Sequence, residues 1–289
     1  MTDLRYYNQL AQFFSLPLFR EVASDGRVPD FMRYVLTNSG YIQVLPKKVT
    51  LGQLYETLYG FLKSQYRCEY VYKNALANKI LLGRHSLKTS TLLTEFRTNN
   101  SKADAVVMNG TSSVYEIKTE LDTLERLDGQ ISSYKKVFDK VYVVTHESKL
   151  PKLQTMLAED VGIILLTDKY TLQIVRESQS HKDSVDSAVI FDCLRQAEYC
   201  EIISDEFGHV PDVPNSKLYS ECKRLFSTLP STVAHDGMVR TIKKRKPANS
   251  LNSLVAAVPH SLKLLCLMSG FKLSQRKTLL TALETVYVT

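Results

Sequence analysis

The segment ADAVVMNGTSSVYEIK, residues 103–118, constrains the fold more than any other part of the chain. Two apolar-rich runs of strand length flank Asn109-Gly110, a dipeptide that tight hairpin turns favour because both residues tolerate positive φ. Side chains alternate across a strand, so Glu116 and Lys118 project from one face. With a three-residue loop, Asn109 to Thr111, Met108 pairs with Ser112 and Asp104 falls opposite Glu116. Directly opposed Cβ atoms lie ~4.5–5.5 Å apart. Two carboxylates that close repel unless a cation lies between them or one is protonated. A two- or four-residue loop places Asp104 opposite Tyr115 or Ile117 instead, and a bulge or bend must then bring the acids together.

The flanking pattern predicts an α/β fold. TLGQLYETLYGFLKS, residues 50–64, carries leucines and aromatics at helical spacing. Residues 66–82 continue as a helix that Gly83 ends. Strand-like runs follow at 92–98, 103–109 and 113–118. The next helix opens with a capping box, Asp122 and Glu125, and buries Leu124, Leu127, Ile131, Val137 and Phe138. VYVVT, 141–145, reads as a strand covered on both faces. A helix over 151–159 and a closing hairpin, 162–167 with 172–177, complete a mixed sheet flanked by helices. Polar SQSHKDSVDS, 178–187, marks a boundary. The expected organisation is a helical N-terminal segment, 1–60, packing on a core, 61–178, followed by a basic helical region, 188–289.

With 289 residues the chain can bury a sizeable core. No run of about 18 apolar residues occurs, so no membrane span is expected, and the N-terminus lacks the pattern of a signal peptide. The five scattered cysteines contain no CxxC pair, which argues against a zinc site or a disulfide framework and points to the cytoplasm. The net charge of +7 is unevenly placed. From Lys217 onward twelve Lys and Arg stand against three Asp and Glu, and Lys243, Lys244, Arg245 and Lys246 form the densest run. That asymmetry suits a nucleic-acid partner bound by a face separate from the acids; a solvated basic loop is the alternative.

Asp104, then Glu116-Ile117-Lys118, then a helix carrying Gln130 and Tyr134 resemble the PD-(D/E)XK nuclease superfamily with its αβββαβ core. The Gln-x-x-x-Tyr element is similar to that of RecB-type nucleases. The run EIKTELDTLERLDGQISSYKKVFDKVYVVT resembles an uncharacterised family of small stand-alone bacterial and phage-borne nuclease-like proteins. The resemblance implies that Asp104 and Glu116 bind Mg²⁺, with Mn²⁺ able to substitute and the Ile117 carbonyl as a further ligand. It also implies that Gln130 and Tyr134 hold the lysine or a substrate phosphate, and that Glu69 serves as a fourth acid on the preceding helix. The chemistry of the residue types agrees. Mg²⁺ takes hard oxygen ligands and usually only one or two carboxylates, and it activates a bound water at a phosphodiester. Lys118 would steer the water or stabilise charge developing on phosphorus.

Alternatives stand beside several of these residues. Glu69 and Lys73 have the spacing of an ordinary helix pair. Glu95 reads as a further acid or as half of a sheet-edge salt bridge. Gly129 costs ~1 kcal/mol in a helix interior, which suggests close approach to a neighbour. Arg126 has the reach for a phosphate or for Asp122. His85 is the histidine nearest the acids in sequence. The expected function is Mg²⁺-dependent hydrolysis of DNA by activated water. The alternative is a non-cutting nucleic-acid-binding or regulatory protein on a nuclease-like scaffold, in phage defence or a mobile element. A homodimer is left open.

Overall fold

The computed structural model describes residues 6–84, 89–245 and 251–288. The chain forms two compact units, Leu81–Lys246 and a second that joins Met1–Ile80 to Pro247–Thr289. This division replaces the expected three consecutive segments. Two local reasons account for it. The segment 178–187 is not a boundary, because its polar groups complete the backbone bonding of the sheet unit: Ser178 Oγ accepts the Val141 N–H at 3.0 Å, and the His181 and Asp186 N–H groups donate to the Asp139 and Lys136 carbonyls. The last forty residues, in turn, fold with the first eighty.

In the discontinuous unit, strand β1 (Lys48–Thr50) pairs antiparallel with the C-terminal strand Val286–Val288. The helix Leu51–Gln65 follows, capped by the reciprocal bonds of Thr50 and Gln53. Helices Leu16–Asp25 and Asp30–Asn38 precede them and helix Leu273–Glu284 packs on the former. Buried Asn74 ties the C-terminal part in, donating to the His260 carbonyl and accepting the Leu264 N–H. The expected helix over 66–82 starts later, at Glu69, runs α-helical to Leu76, passes through a π turn at Ala77–Leu81 and ends beyond Gly83.

The sheet unit is α/β. Its six strands are β2 (Thr91–Thr98), β3 (Ser101–Met108), β4 (Ser112–Lys118), β5 (Lys140–Thr145), β6 (Gly162–Leu166) and β7 (Leu172–Arg176), in that spatial order. The sheet is mixed: β2–β3–β4 and β6–β7 are antiparallel, and β4–β5–β6 are parallel. Every residue of β4 is buried, as is typical of a central strand covered on both faces. One face packs against helices Leu127–Lys135, Ser187–Asp192, Gln196–Phe207, Asn215–Phe226 and Ser231–Ile242, through a core that includes Val114, Val143, Ile131, Phe138, Phe191 and Met238.

Two helix expectations change. The helix after β4 starts at Leu127, not at Asp122, because the Asp122 carboxylate accepts the Thr119 N–H and hydroxyl and closes the exit from the strand. The helix after β5 is shorter than expected, Leu150–Met156. Gly129 has open space around it rather than a close neighbour. The glycine that a close approach does require is Gly162. A Cβ there would lie 2.3 Å from the Tyr142 ring and 2.9 Å from the Ser178 nitrogen, a backbone atom. Gly162→Ala is expected to destabilise the protein by about 1–3 kcal/mol, read from chemical denaturation; an unchanged midpoint would contradict this packing.

Candidate functional site

The hairpin closes with the three-residue loop. Met108 pairs with Ser112, the Asn109 N–H donates to the Thr111 carbonyl at 3.0 Å, and Gly110 adopts φ +120°. The ladder runs to Ala105 opposite Tyr115 and stops one step short of Asp104. There the side chain replaces the backbone: Asp104 Oδ2 accepts the Ile117 N–H at 2.8 Å.

A second break, in the β2–β3 ladder, falls at the same residue. Thr94 pairs with Ala105 and Phe96 with Ala103, so Glu95 stands opposite Asp104, but Glu95 holds φ +57° and leaves the ladder. A non-glycine residue with positive φ is uncommon and costs energy. Glu95 forms an ion pair with Lys102, and its carboxylate comes within 4.8 Å of that of Asp104. The salt bridge expected of Glu95 and its proximity to the proposed acid are therefore both present.

Glu116 and Lys118 share a face, as strand alternation requires, and that face meets helix Leu127–Lys135. Both are buried, at 2% and 7% exposure. Lys118 Nζ donates to Glu116 Oε1 at 2.8 Å and to Gln130 Oε1 at 2.9 Å. Gln130 Nε2 donates to the same Glu116 oxygen at 2.5 Å. Because the amide gives and receives within one triangle, its orientation follows from the bonding. The Tyr134 hydroxyl lies 2.7 Å from Glu116 Oε2 and 3.1 Å from the Lys102 carbonyl. Burial, and then the Glu116 carboxylate, raise the Tyr134 pKa far above its ordinary value. The phenol thus keeps its proton and acts as a donor.

Glu116 accordingly holds three protein donors across its two oxygens. A buried carboxylate supplied in this way is stable without a further cation. For a hard cation such as Mg²⁺ the better exposed oxygens belong to Asp104 and Glu95, which have the right donor chemistry. The Ile117 carbonyl lies on the Asp104 side of β4, because N–H and C=O of one strand residue point the same way. With three donors on about four lone-pair sites, Glu116 keeps one site for a cation.

Several other expected residues are engaged in ion pairs. Glu69 opens helix Glu69–Leu76 in the discontinuous unit and forms an i,i+4 ion pair with Lys73. In the basic run, Arg245 turns inward: its guanidinium binds Glu198 through Nε and Nη2, both at 2.5 Å, and lies over the Phe96 ring. Burial pushes the Glu198 carboxyl up, but the Arg245 hydrogen bond outweighs it and holds the pKa low. Lys244 pairs with Glu201, and the Lys243 carbonyl accepts the Thr91 hydroxyl. Two of the four charges are therefore neutralised locally, which weakens this run as a phosphate-binding patch. Lys246 and His85 lie outside the described residues.

Spacing in the sequence did not disclose a second polar cluster, at the opposite end of β4. Ser112 Oγ lies 2.8 Å from Nε2 of fully buried His235 and accepts the Asp139 N–H at 3.0 Å. More than a hundred positions separate Ser112 from His235, so no local motif could have paired them.

The family of bacteriophage P4 protein cII matches residues 62–265, most of the chain. The chain belongs to this family. Protein cII of Enterobacteria phage P4 is 32% identical over 80 residues, which is 27% of this chain and 30% of that protein, so the match spans less than a third of the relative's own length. Among solved structures, SPO1766, a protein of unknown function from Silicibacter pomeroyi, is similar at 18% identity. That similarity covers 32% of this chain and 62% of that one, with a TM-score of 0.27, too low to carry an argument. In this cII-family chain the aligned span takes in both the Asp104–Tyr134 cluster and His235.

The bonding makes a stability prediction. Lys118→Met leaves the Glu116 charge buried and uncompensated and is expected to cost about 3–5 kcal/mol. The double variant Glu116→Gln with Lys118→Met is expected to recover more than half of that loss in chemical denaturation. Equal losses for single and double variants would show that the charge pair is not what holds the cluster.

Proposed function

We propose that this chain is a divalent-metal-dependent nuclease that hydrolyses phosphodiester bonds of DNA on a PD-(D/E)XK-type core. The observation that carries the reading is the meeting of four polar side chains at the end of β4. Glu116, Lys118, Gln130 and Tyr134 are hydrogen-bonded in one cluster, and Asp104 binds the intervening Ile117 N–H. The order of β2, β3 and β4, then helix Leu127–Lys135, then parallel β5, supports it as well.

In this reading Asp104, Glu116 and the Ile117 carbonyl would hold the metal, with Glu95 as a further acid near Asp104. When bound, Mg²⁺ supplies a water of lowered pKa and neutralises phosphate charge. The rest falls to the chain's own groups. Lys118 has two of its three protons on Glu116 and Gln130, and the third is directed to a phosphate oxygen. Gln130 fixes the height of the ammonium above the strand. Tyr134, kept protonated, holds Glu116 in place throughout the neutral range. No nucleophilic side chain takes part, so attack is by water.

One observation favours a second reading. The three donors on Glu116 leave a self-contained buried ion pair, which suits a scaffold that binds nucleic acid without cutting it. The name of the family supports a phage or mobile-element setting for either activity. Among the described residues no helix is long and apolar enough to cross a membrane.

The test uses the full chain with supercoiled and linear DNA, in Mg²⁺, in Mn²⁺ and with a chelator. Asp104→Asn keeps an acceptor for the Ile117 N–H while removing the charge, so the fold is expected to survive. Metal-dependent cleavage is expected in the wild type and a fall of about 100-fold or more in the variant. DNA retention at low salt with no cleavage and no metal binding in either protein would select the non-cutting reading.

A further inference from the structure

The end of β4 remote from Glu116 is held by an arrangement that the proposed chemistry does not use. Ser112 begins the strand and, opposite Met108, closes the loop that sets the hairpin register. Its hydroxyl oxygen accepts the Asp139 N–H at 3.0 Å and lies 2.8 Å from His235 Nε2. His235 sits in helix Ser231–Ile242 with no exposed surface. On its other side, Nδ1 is 3.3 Å from Asp236 Oδ1, and Asp236 pairs with Lys182 at 2.7 Å. Asp139 in turn accepts hydroxyl protons from Thr111 in the loop, at 2.6 Å, and from Ser180.

Donor accounting assigns the ring. The carboxylate of Asp236 can only accept, so Nδ1 carries the proton and Nε2 is left as an acceptor. Ser112 then receives from Asp139 and gives its own proton to Nε2, and every group is satisfied. Protonation of His235 would turn Nε2 into a donor and leave the Ser112 hydroxyl proton without an acceptor in a buried site, which is destabilising.

We propose that neutral His235 is a positioning residue: through Ser112 it locks the Asn109–Thr111 loop, and so the register that sets Asp104 beside Ile117 and Glu116. This deepens the nuclease reading and rests on it for its catalytic consequence, though not for its structural one. Asp104 accepts the Ile117 N–H one step beyond the last β3–β4 pair, so that contact follows from the register of the hairpin. Burial lowers the His235 pKa below its ordinary value, opposed by Asp236 and Asp139 and assisted by Lys182. An unfolded histidine titrates near 6.5. As pH falls below about 6.5 the unfolded chain takes the proton first, so stability declines with acidification. At the lower folded value the lock itself opens. Asp139 and Asp236, both held below the ordinary carboxylate range, stay charged through this window: burial raises each, and hydrogen bonds to Ser180 and Lys182 respectively lead the opposing effects.

Two variants and two readouts test this in the full chain. His235→Gln keeps an acceptor in place of Nε2 but cannot titrate; His235→Leu removes the acceptor. The first readout is histidine ¹⁵N chemical shift together with hydrogen exchange at the Ile117 amide, the donor to Asp104. Wild type is expected to show the Nδ1–H tautomer and a protected Ile117 amide that opens on acidification. His235→Gln is expected to keep that amide protected to lower pH. His235→Leu is expected to expose it about tenfold more at neutral pH, a change of about 1.4 kcal/mol, while the Val143 amide in β5 is unchanged. An Nε2–H tautomer, or an Ile117 amide indifferent to both variants, overturns the proposal. The second readout is the pH profile of DNA cleavage, whose acid limb is expected to move to lower pH in His235→Gln. An unmoved limb in a protein that cuts overturns the catalytic link. Absence of cleavage in the wild type removes the nuclease reading and leaves the exchange experiment to decide the lock.

Discussion

The buried ion pair of Lys118 and Glu116 is the constraint around which the sheet unit is arranged. Removing two charges from water is expensive, and their attraction repays that only with good geometry and further hydrogen bonds. Here the further bonds come from one helix. Gln130 bridges the pair and Tyr134 takes the remaining carboxylate oxygen. For those two side chains to reach β4, helix Leu127–Lys135 must lie at a fixed height over the strand. Leu127 and Ile131, buried in the core on the same helix, set that height. The polar cluster and the apolar core are thus two halves of one docking surface: the helix supplies i, i+4 spacing to both.

Central strand β4 therefore carries polar function at both ends and apolar packing between them. At its start Ser112 binds Asp139 and His235; at its end Asp104, Glu116 and Lys118 gather. In a strand whose every residue is buried, each polar group needs a designated partner. The partners come from distant parts of the chain, and this draws helix Ser231–Ile242 and the segment 178–187 into the same unit as the hairpin.

The sequence made the strands legible because their signal is local. Period-two alternation and Asn109-Gly110 located β3 and β4, and the three-residue loop gave the register that the structure adopts. Glu116, Lys118, Gln130 and Tyr134 were legible for the same reason, lying within nineteen positions of one another on elements of known periodicity. What failed was every inference in which a local motif had a tertiary competitor. Asp122 has the spacing of a helix cap, but Thr119 captures its carboxylate first. The basic run looked like a solvent-facing patch, but Arg245 finds Glu198 and the Phe96 ring. The polar stretch 178–187 reads as a boundary because composition does not reveal that its hydroxyls and amides complete the backbone bonding at the start of β5. Gly129 suggested crowding, and the space beside it is open.

The same bonding bears on how such a site could be poised. With Nζ bonded to Glu116 and Gln130, Lys118 keeps one proton for a further acceptor. On the proposed reading Asp104 and Glu95, less buried than Glu116, would present their oxygens to a cation. On the proposed reading, then, the network would hold the ammonium in one orientation, with two protons fixed by Glu116 and Gln130 and the third available to a phosphate oxygen. The positive φ of Glu95 interrupts the β2–β3 ladder opposite Asp104, and the two carboxylates lie close together at that gap.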